Sequence, residues 1–327
     1  MRLKDILIQE LKKIGIERIG VRYRKVIASR DPIRTIAIGV IGGKFKIFKG
    51  SNEINWSLTL NGEKLRLPPQ AYVSTSGGEV ILDRDRLLRK IDNFPFIALD
   101  CRFYDLHSQK EKKKLKLQIE QTLGVIRKYM WDEKLIVAGK KFGYGRYYNS
   151  IEEFLSKHNF SQVILLDPNA ESIYSGENAE CFIIGGIVDK SGNKKGITSK
   201  IFKILDSSGF NVEAKKIQLR GDVVGVPDRI NHIAEIILKC VFDNKSVEEA
   251  IKETQPHIVA KWRLRKEISK HVNKLEINDK VYGIILKNKY FELTNWLNIR
   301  WKDFFQVCSE QNIFVISERG IQRLFQS

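Results

Sequence analysis

Over residues 1–90 the rhythm of apolar positions changes more than once. Ile6, Leu7, Leu11 and Ile14 recur at near-helical spacing and predict an amphipathic helix over 5–14. Two short β-rich runs follow, Thr35-Ile36-Ala37-Ile38 and Lys44-Phe45-Lys46-Ile47-Phe48, and both read as strands. Residues 58–66 alternate in polarity on both sides of Asn61-Gly62, which predicts a hairpin, because an Asn-Gly pair suits the left-handed dihedrals of a type I′ turn. From residue 91 strands alternate with helices. The apolar runs 96–100, 135–138, 163–166 and 181–188 predict strands, and helical periodicity covers 109–129, 197–205 and 229–242. Ser150-Ile151-Glu152-Glu153 predicts a capping-box start to a further helix. Such alternation implies a mostly parallel sheet with helices on both faces. Beyond residue 245 a helix is expected over 256–272, and a tail from 281 mixes strand-like and helical text rich in aromatics, read mostly as core. The expected division is a basic α+β segment over 1–90, an α/β domain over 91–245 and a mainly helical segment over 246–327.

Composition narrows the function. Lys and Arg number 57 against 39 Asp and Glu, a formal charge of +18, which favours a polyanionic partner through counterion release. Charge alone leaves open a basic protein with no such partner. The sequence contains no apolar run able to span a bilayer and no signal-peptide pattern near its start, so a cytoplasmic protein without membrane attachment is expected. The four cysteines, Cys101, Cys181, Cys240 and Cys308, are far apart and form no C-x-x-C pair, so neither a disulfide framework nor a metal site is expected.

The strand ends carry the chemistry, since ligands sit beyond the carboxyl ends of parallel strands. Asp100-Cys101-Arg102-Phe103 follows the first strand in place of G-x-G-x-x-G, and no P-loop occurs, which disfavours an ordinary dinucleotide site and a P-loop ATPase. Gly185 and Gly186 close a late strand with Asp189 just beyond. That arrangement reads equally as a close-approach ligand site or as a tight turn with a solvated aspartate.

Residues 182–189, Phe-Ile-Ile-Gly-Gly-Ile-Val-Asp, resemble the glycine-glycine-aliphatic-aliphatic-aspartate signature of the SPOUT-superfamily methyltransferases that modify N1 of the purine at tRNA position nine. Leu99-Asp100-Cys101-Arg102-Phe103 resembles that family's Asp-Cys-Ser-Phe-Asp segment, and Gln118-Ile119 its helical Gln-Ile. Leu165-Leu166-Asp167-Pro168 and Ile230-Asn231-His232-Ile233-Ala234-Glu235-Ile236 are similar to two further elements, so the likeness covers about 91–245 in order. The chain departs from the pattern at Arg102, at Tyr104 followed by Asp105, at Gln121 and at Gln218-Leu219-Arg220.

The resemblance implies a sheet ending in a trefoil knot, S-adenosylmethionine as methyl donor, tRNA as substrate and a monomer. It implies catalytic roles for Asp189, Asp100 and Gln118, and donor contacts at Leu166, Gly185, Gly186, Asp189, Gly196, Thr198, Leu219, Gly221, Val226 and Asn231. Read without it, Gln118 is an exposed helix residue and Asn231-His232 a helix cap with a satisfied side chain. The lysine run containing Lys112, Lys113 and Lys116 is either a solvated helix face or a phosphate contact. Basic clusters at Arg22, Arg24, Lys25 and at Arg263, Arg265, Lys266 suggest that the terminal segments hold RNA, in which case truncation to 91–245 should leave donor affinity nearly unchanged. Composition rich in Ile and Lys, with two Met, resembles archaeal members, some of which methylate adenine; 1-methylguanosine or both products stay open. A non-catalytic RNA-binding protein and a nucleotide-dependent enzyme with an unusual loop are the competing classes.

Overall fold

The computed structural model describes residues 1–91, 93–189, 192 and 194–320. It divides into two compact units, one of residues 1–166 with 178–214, the other of residues 167–177 with 215–327.

The first unit contains two sheets. Its N-terminal sheet runs in the order Lys64–Leu65, Ser57–Thr59, Arg18–Val21, Ala71–Ser74, Lys46–Lys49, Val80–Leu82. The helix Leu3–Lys13 buries Leu3, Ile6, Leu7 and Leu11, as the periodicity predicts. The run 35–38, read as a strand, lies instead inside the helix Pro32–Ile41. Pro32 fills the first turn, where no amide hydrogen bond is lost, and the Asp31 carboxylate accepts the Arg34 amide. Ile33, Ile36, Ala37, Val40 and Ile41 then form one buried face at helical spacing, which overrides the strand preference of β-branched residues. The hairpin at Asn61-Gly62 forms, with Leu58 opposite Lys64, but its turn differs from expectation. Only Gly62 has a positive φ, 92°, and the Thr59 amide bonds the Glu63 carbonyl at 2.8 Å, so a longer turn with a left-handed glycine replaces type I′.

The second sheet of this unit is parallel, in the order Val163–Leu166, Cys181–Gly185, Phe96–Asp100, Leu135–Ala138, Arg146–Tyr148. The Gln109–Tyr129 helix begins at a complete capping box between Ser108 and Glu111. Ser150 caps Ile151–Ser156, but the Glu153 carboxylate turns to Asn149, leaving half of the predicted box. Ile201 and Leu205 of the Ile197–Ser207 helix join Phe154, Leu165, Ile183 and Ala98 in one buried core.

In the second unit Ser172–Ile173 pairs in parallel with Lys215 and Lys216. The helices Ile230–Asp243, Val247–Thr254, His257–Ile268 and Trp301–Glu310 accompany a three-stranded sheet of Asn273–Ile277, Lys280–Leu286 and Ile313–Ile316. No helix among the described residues is long and apolar enough to cross a membrane. All four cysteines are buried and unpaired with one another.

Candidate active site

Strand register brings Gly185 opposite Asp100 in the first unit. The next residue, Gly186, donates its amide to the Asp100 carbonyl at 2.7 Å. A Cβ at Gly186 would lie 2.5 Å from Cys101 Sγ and 2.9 Å from that carbonyl, so only glycine fits against the turn. A Cβ at Gly185 would stand 3.1 Å from Thr198 Oγ1, and Gly196, with φ 79°, opens the helix carrying Thr198. Leu166 ends the neighbouring strand.

Beyond the glycines the chain is held by a residue that the sequence reading did not single out. His107, 5% exposed, accepts the Val188 amide on Nε2 at 3.0 Å, while Nδ1 lies 3.0 Å from the Tyr104 carbonyl. Those partners define a neutral ring that donates from Nδ1 and accepts at Nε2. A histidine two residues before a helix start carries no sequence mark of this role. Asp189 is exposed, and its two carboxylate oxygens accept the Gly192 and Lys194 amides, each at 2.8 Å. The Lys194 ammonium is buried on Glu111 at 3.0 Å.

Asp100 stands in a different environment. Its side chain is 1% exposed and meets Arg102 at 2.7 Å, and Arg102 reaches on to Glu152 at 2.9 Å. Burial pushes the Asp100 carboxyl above its usual range despite the guanidinium. Burial also works against charge on Glu152, but there Arg102 prevails and holds the carboxyl below its ordinary value. Gln118 is half-buried on the Gln109–Tyr129 helix. Lys112 leans on the Tyr104 ring at 4.7 Å and on Asp105, whereas Lys113 and Lys116 are exposed. Arg22, Arg24 and Lys25 are exposed too, with Arg22 donating to the Asn52 carbonyl.

The second unit contains the remaining candidates. Leu219 is buried, Gly221 exposed and Val226 half-buried. Asn231 is 8% exposed, and its Oδ1 is buried without a hydrogen-bond partner. A buried acceptor left unsatisfied is costly in isolation and suits a site that receives a donor from a ligand. Arg263, expected on RNA, is instead 1% exposed, with its guanidinium directed at the Val224 and Arg220 carbonyls and at Asp222 and Glu267. Such a buried, paired guanidinium is out of reach of a phosphate. Arg265 pairs with Glu310 at 2.9 Å, and Lys266 with Asp222.

The parallel sheet with its glycine-terminated strand and covering helices is the α/β fold of SPOUT-type methyltransferases. Dual specific Trm10 from Thermococcus kodakaraensis matches with a TM-score of 0.63 and 28% identity over 76% of this chain and 98% of that one. Sulfolobus acidocaldarius Trm10 in complex with S-adenosylhomocysteine matches in fold with a TM-score of 0.66 and 24% identity over 95% and 99% of the two chains. Family models described as the tRNA (guanine(9)-/adenine(9)-N1)-methyltransferase N domain and C domain match residues 4–90 and 261–326. A Thermococcus kodakarensis protein named tRNA (guanine(9)-/adenine(9)-N1)-methyltransferase is 37% identical over 98% of this chain and 91% of its own length. A Sulfolobus acidocaldarius protein named tRNA (adenine(9)-N1)-methyltransferase is 29% identical over 78% and 85%. The chain belongs to the tRNA (guanine(9)-/adenine(9)-N1)-methyltransferase family.

Proposed function

We propose that this chain methylates N1 of the purine at tRNA position nine with S-adenosylmethionine, and that the purine is adenine. The observation that carries the reading is the strand end at Gly186, pressed against Asp100-Cys101 with Asp189 three residues on, in a chain that aligns over 98% of its length with an enzyme named for this reaction. S-adenosylmethionine supplies an electrophilic methyl group on a sulfonium sulfur. In the second unit Leu219, Gly221, Val226 and Asn231 are proposed to hold it, and the unsatisfied Asn231 Oδ1 fits a polar ligand group. In the first unit Leu166, Gly185, Gly186, Gly196 and Thr198 keep the donor contacts that the family likeness assigns. Gln118 is kept as a contact to the target nucleoside.

The choice of base rests on the carboxylates. Guanine N1 carries a proton that must leave, so its methylation needs a general base, whereas adenine N1 already has a free lone pair. Asp100 is locked to Arg102, and both Asp189 oxygens accept loop amides. That arrangement suits an Asp189 that orients adenine and stabilises the charge developing on its ring. Exposed Lys113, Lys116, Arg24 and Lys25, with Lys112, Arg22, Arg265 and Lys266, are proposed as phosphate contacts of a monomer. The second reading, 1-methylguanosine or both products, is favoured by the dual name of the Thermococcus relative.

Single-turnover methylation of two transcripts differing only in A or G at nucleotide nine, by wild type and Asp189→Asn across pH, decides the matter. Product on A, with a modest and pH-independent loss in the variant, is expected. Product on G alone, with a loss of roughly 10² to 10⁴ and an abolished rise with pH, would make Asp189 a base and overturn the choice of adenine. Absence of any thermal shift with S-adenosylmethionine or S-adenosylhomocysteine would favour the non-catalytic class, and a shift with ATP the nucleotide-dependent one.

A further inference from the structure

Residues 219–222 form a two-residue turn of unusual hand. The Leu219 amide bonds the Asp222 carbonyl at 2.7 Å, and the two central residues, Arg220 and Gly221, have φ of 49° and 74°. Both values are positive, the signature of a type I′ turn, which normally takes Asn or Gly at its first central position. Arginine is disfavoured there because its Cβ crowds the backbone, so the conformation persists only if its surroundings impose it.

The surroundings come from the C-terminal stretch of the same unit. The Arg263 guanidinium donates to the Val224 carbonyl at 3.2 Å and to the Arg220 carbonyl at 3.3 Å. It also meets Asp222 at 3.6 Å and Glu267 at 3.3 Å. Asp222 in turn accepts the Val224 amide at 2.8 Å. Buried Gln255 donates to the Gly225 carbonyl. Gly225, with φ 97°, lies so close that a Cβ there would fall 2.7 Å from Arg263 Cβ. The Trp296 ring lies beneath both guanidiniums, 4.4 Å from Arg220 and 5.4 Å from Arg263. Three carbonyls of one short loop are thus tied to side chains at positions 255 and 263.

We infer that Arg263, with Gln255 and Trp296, is a positioning device that holds the 219–226 loop in its methyl-donor-binding form. The inference rests on the proposal that this loop binds S-adenosylmethionine. It reverses the expectation that the terminal segments leave donor affinity untouched: Arg263 and Trp296 lie within the region matched by the family's C domain, and they act on the donor loop.

The test measures S-adenosylhomocysteine affinity by calorimetry, methylation kinetics and amide hydrogen exchange in wild type, Arg263→Met and Arg263→Lys. If the held form falls to about a tenth of the population, the apparent dissociation constant rises about tenfold in Arg263→Met, because affinity scales with the competent fraction. The KM for the methyl donor rises in parallel, kcat at saturating donor changes much less, tRNA affinity is kept, and amides 219–226 exchange faster. Arg263→Lys retains the charge without the two-pronged grip and falls between the two, which keeps the test open if the methionine variant folds poorly. A lowered melting temperature with unchanged donor affinity and unchanged exchange at 219–226 would reduce Arg263 to core packing and overturn the inference. Wild type that binds no S-adenosylhomocysteine would defeat the functional proposal instead, and faster exchange of the loop in Arg263→Met would then still support the clamp, while unchanged exchange would overturn it.

Discussion

The glycine pair offers the sharpest quantitative test of the site. In Gly186→Ala the added methyl would start 2.5 Å from Cys101 Sγ, 2.9 Å from the Asp100 carbonyl oxygen and 3.2 Å from Cys101 Cα. Ordinary contact between such atoms is about 3.5 to 4.0 Å, so relief requires a movement of about 1 Å between the end of the Cys181–Gly185 strand and the turn after Phe96–Asp100. Two of the three contacts are backbone, and no rotamer change removes them. Overpacking of this kind costs about 1 to 3 kcal/mol. At roughly 2 to 4 °C per kcal/mol for a domain of this size, the melting temperature should fall by about 2 to 12 °C. The chemistry should suffer more if Asp189, on the same stretch, positions the purine as proposed, because a misplacement of about 1 Å can cost on the order of 10²-fold in rate. Differential scanning fluorimetry and single-turnover methylation measure the two effects. Cys101→Ala in the same chain removes the sulfur contact but neither backbone contact, so the double variant should recover part of the stability, with a coupling of at least about 0.5 kcal/mol. If Gly186→Ala matches wild type in both stability and rate, the close approach is not a constraint and the argument from the glycine fails.

Two further expectations concern stability. Burial opposes charge on Glu177, but Lys215 at 2.5 Å and the Ser175 donors hold its carboxyl down to about 2. A lowered folded-state value contributes stability that is present above the ordinary range near pH 4.5 and lost as pH falls toward 2, so urea unfolding between pH 5 and pH 3 should cost wild type about 1 kcal/mol more than Glu177→Gln, after allowance for partial exposure. Equal pH dependence in the two proteins would show that the pair contributes nothing. Asp31 caps the Pro32–Ile41 helix and pairs with Lys4 at 3.0 Å, so Asp31→Ala should cost about 1 to 2 kcal/mol and Asp31→Asn distinctly less. Thermal melts of the two variants compare them directly, and equal losses would rule out the cap as the source.

The most legible parts of the fold were strands buried on both faces and a long helix with one regular apolar face. The strands 96–100, 135–138 and 163–166 and the helix 109–129 form with the bounds their apolar patterns predict. Local rules failed where tertiary context decided. Ile36 and Ile38 carry strand preference, yet Asp31 and Pro32 start a helix whose apolar face is then buried. The turn at Asn61-Gly62 takes a longer form, while type I′ geometry appears at Asn278-Asp279, with φ of 49° and 60°, and at Arg220-Gly221. Asparagine and aspartate tolerate that region through short polar side chains, whereas the arginine is held there by partners far along the chain, which no window of sequence displays. At the site, Gly186 was visible as a glycine at a strand end, and its contact with Cys101 came only with register. His107 and the buried state of Arg263 were hidden because their partners lie far along the chain: His107, in the turn before a helix, meets the Val188 amide, and Arg263, in a helix, gives no sign in sequence of whether its face meets water or a loop of carbonyls.

The departure at Arg102 and the proposed base belong to one argument. Where the family likeness has serine after Asp-Cys, this chain places a guanidinium whose Nε bonds both Asp100 oxygens, at 3.0 and 2.8 Å, and whose remaining nitrogens bond both Glu152 oxygens. Burial raises the proton affinity of Asp100, but both of its oxygens are engaged by Arg102 and its side chain is 1% exposed, so guanine could hand it a proton only by displacing the guanidinium. A guanine enzyme would therefore draw its base from elsewhere, and Asp189, the other carboxylate near the glycines in sequence, already accepts two amides that shape its own loop. Adenine makes no such demand, since its N1 is nucleophilic without losing a proton and needs only alignment with the methyl group and a nearby negative charge. The arginine that breaks the family pattern thus removes one candidate base and leaves an arrangement suited to the purine that needs none.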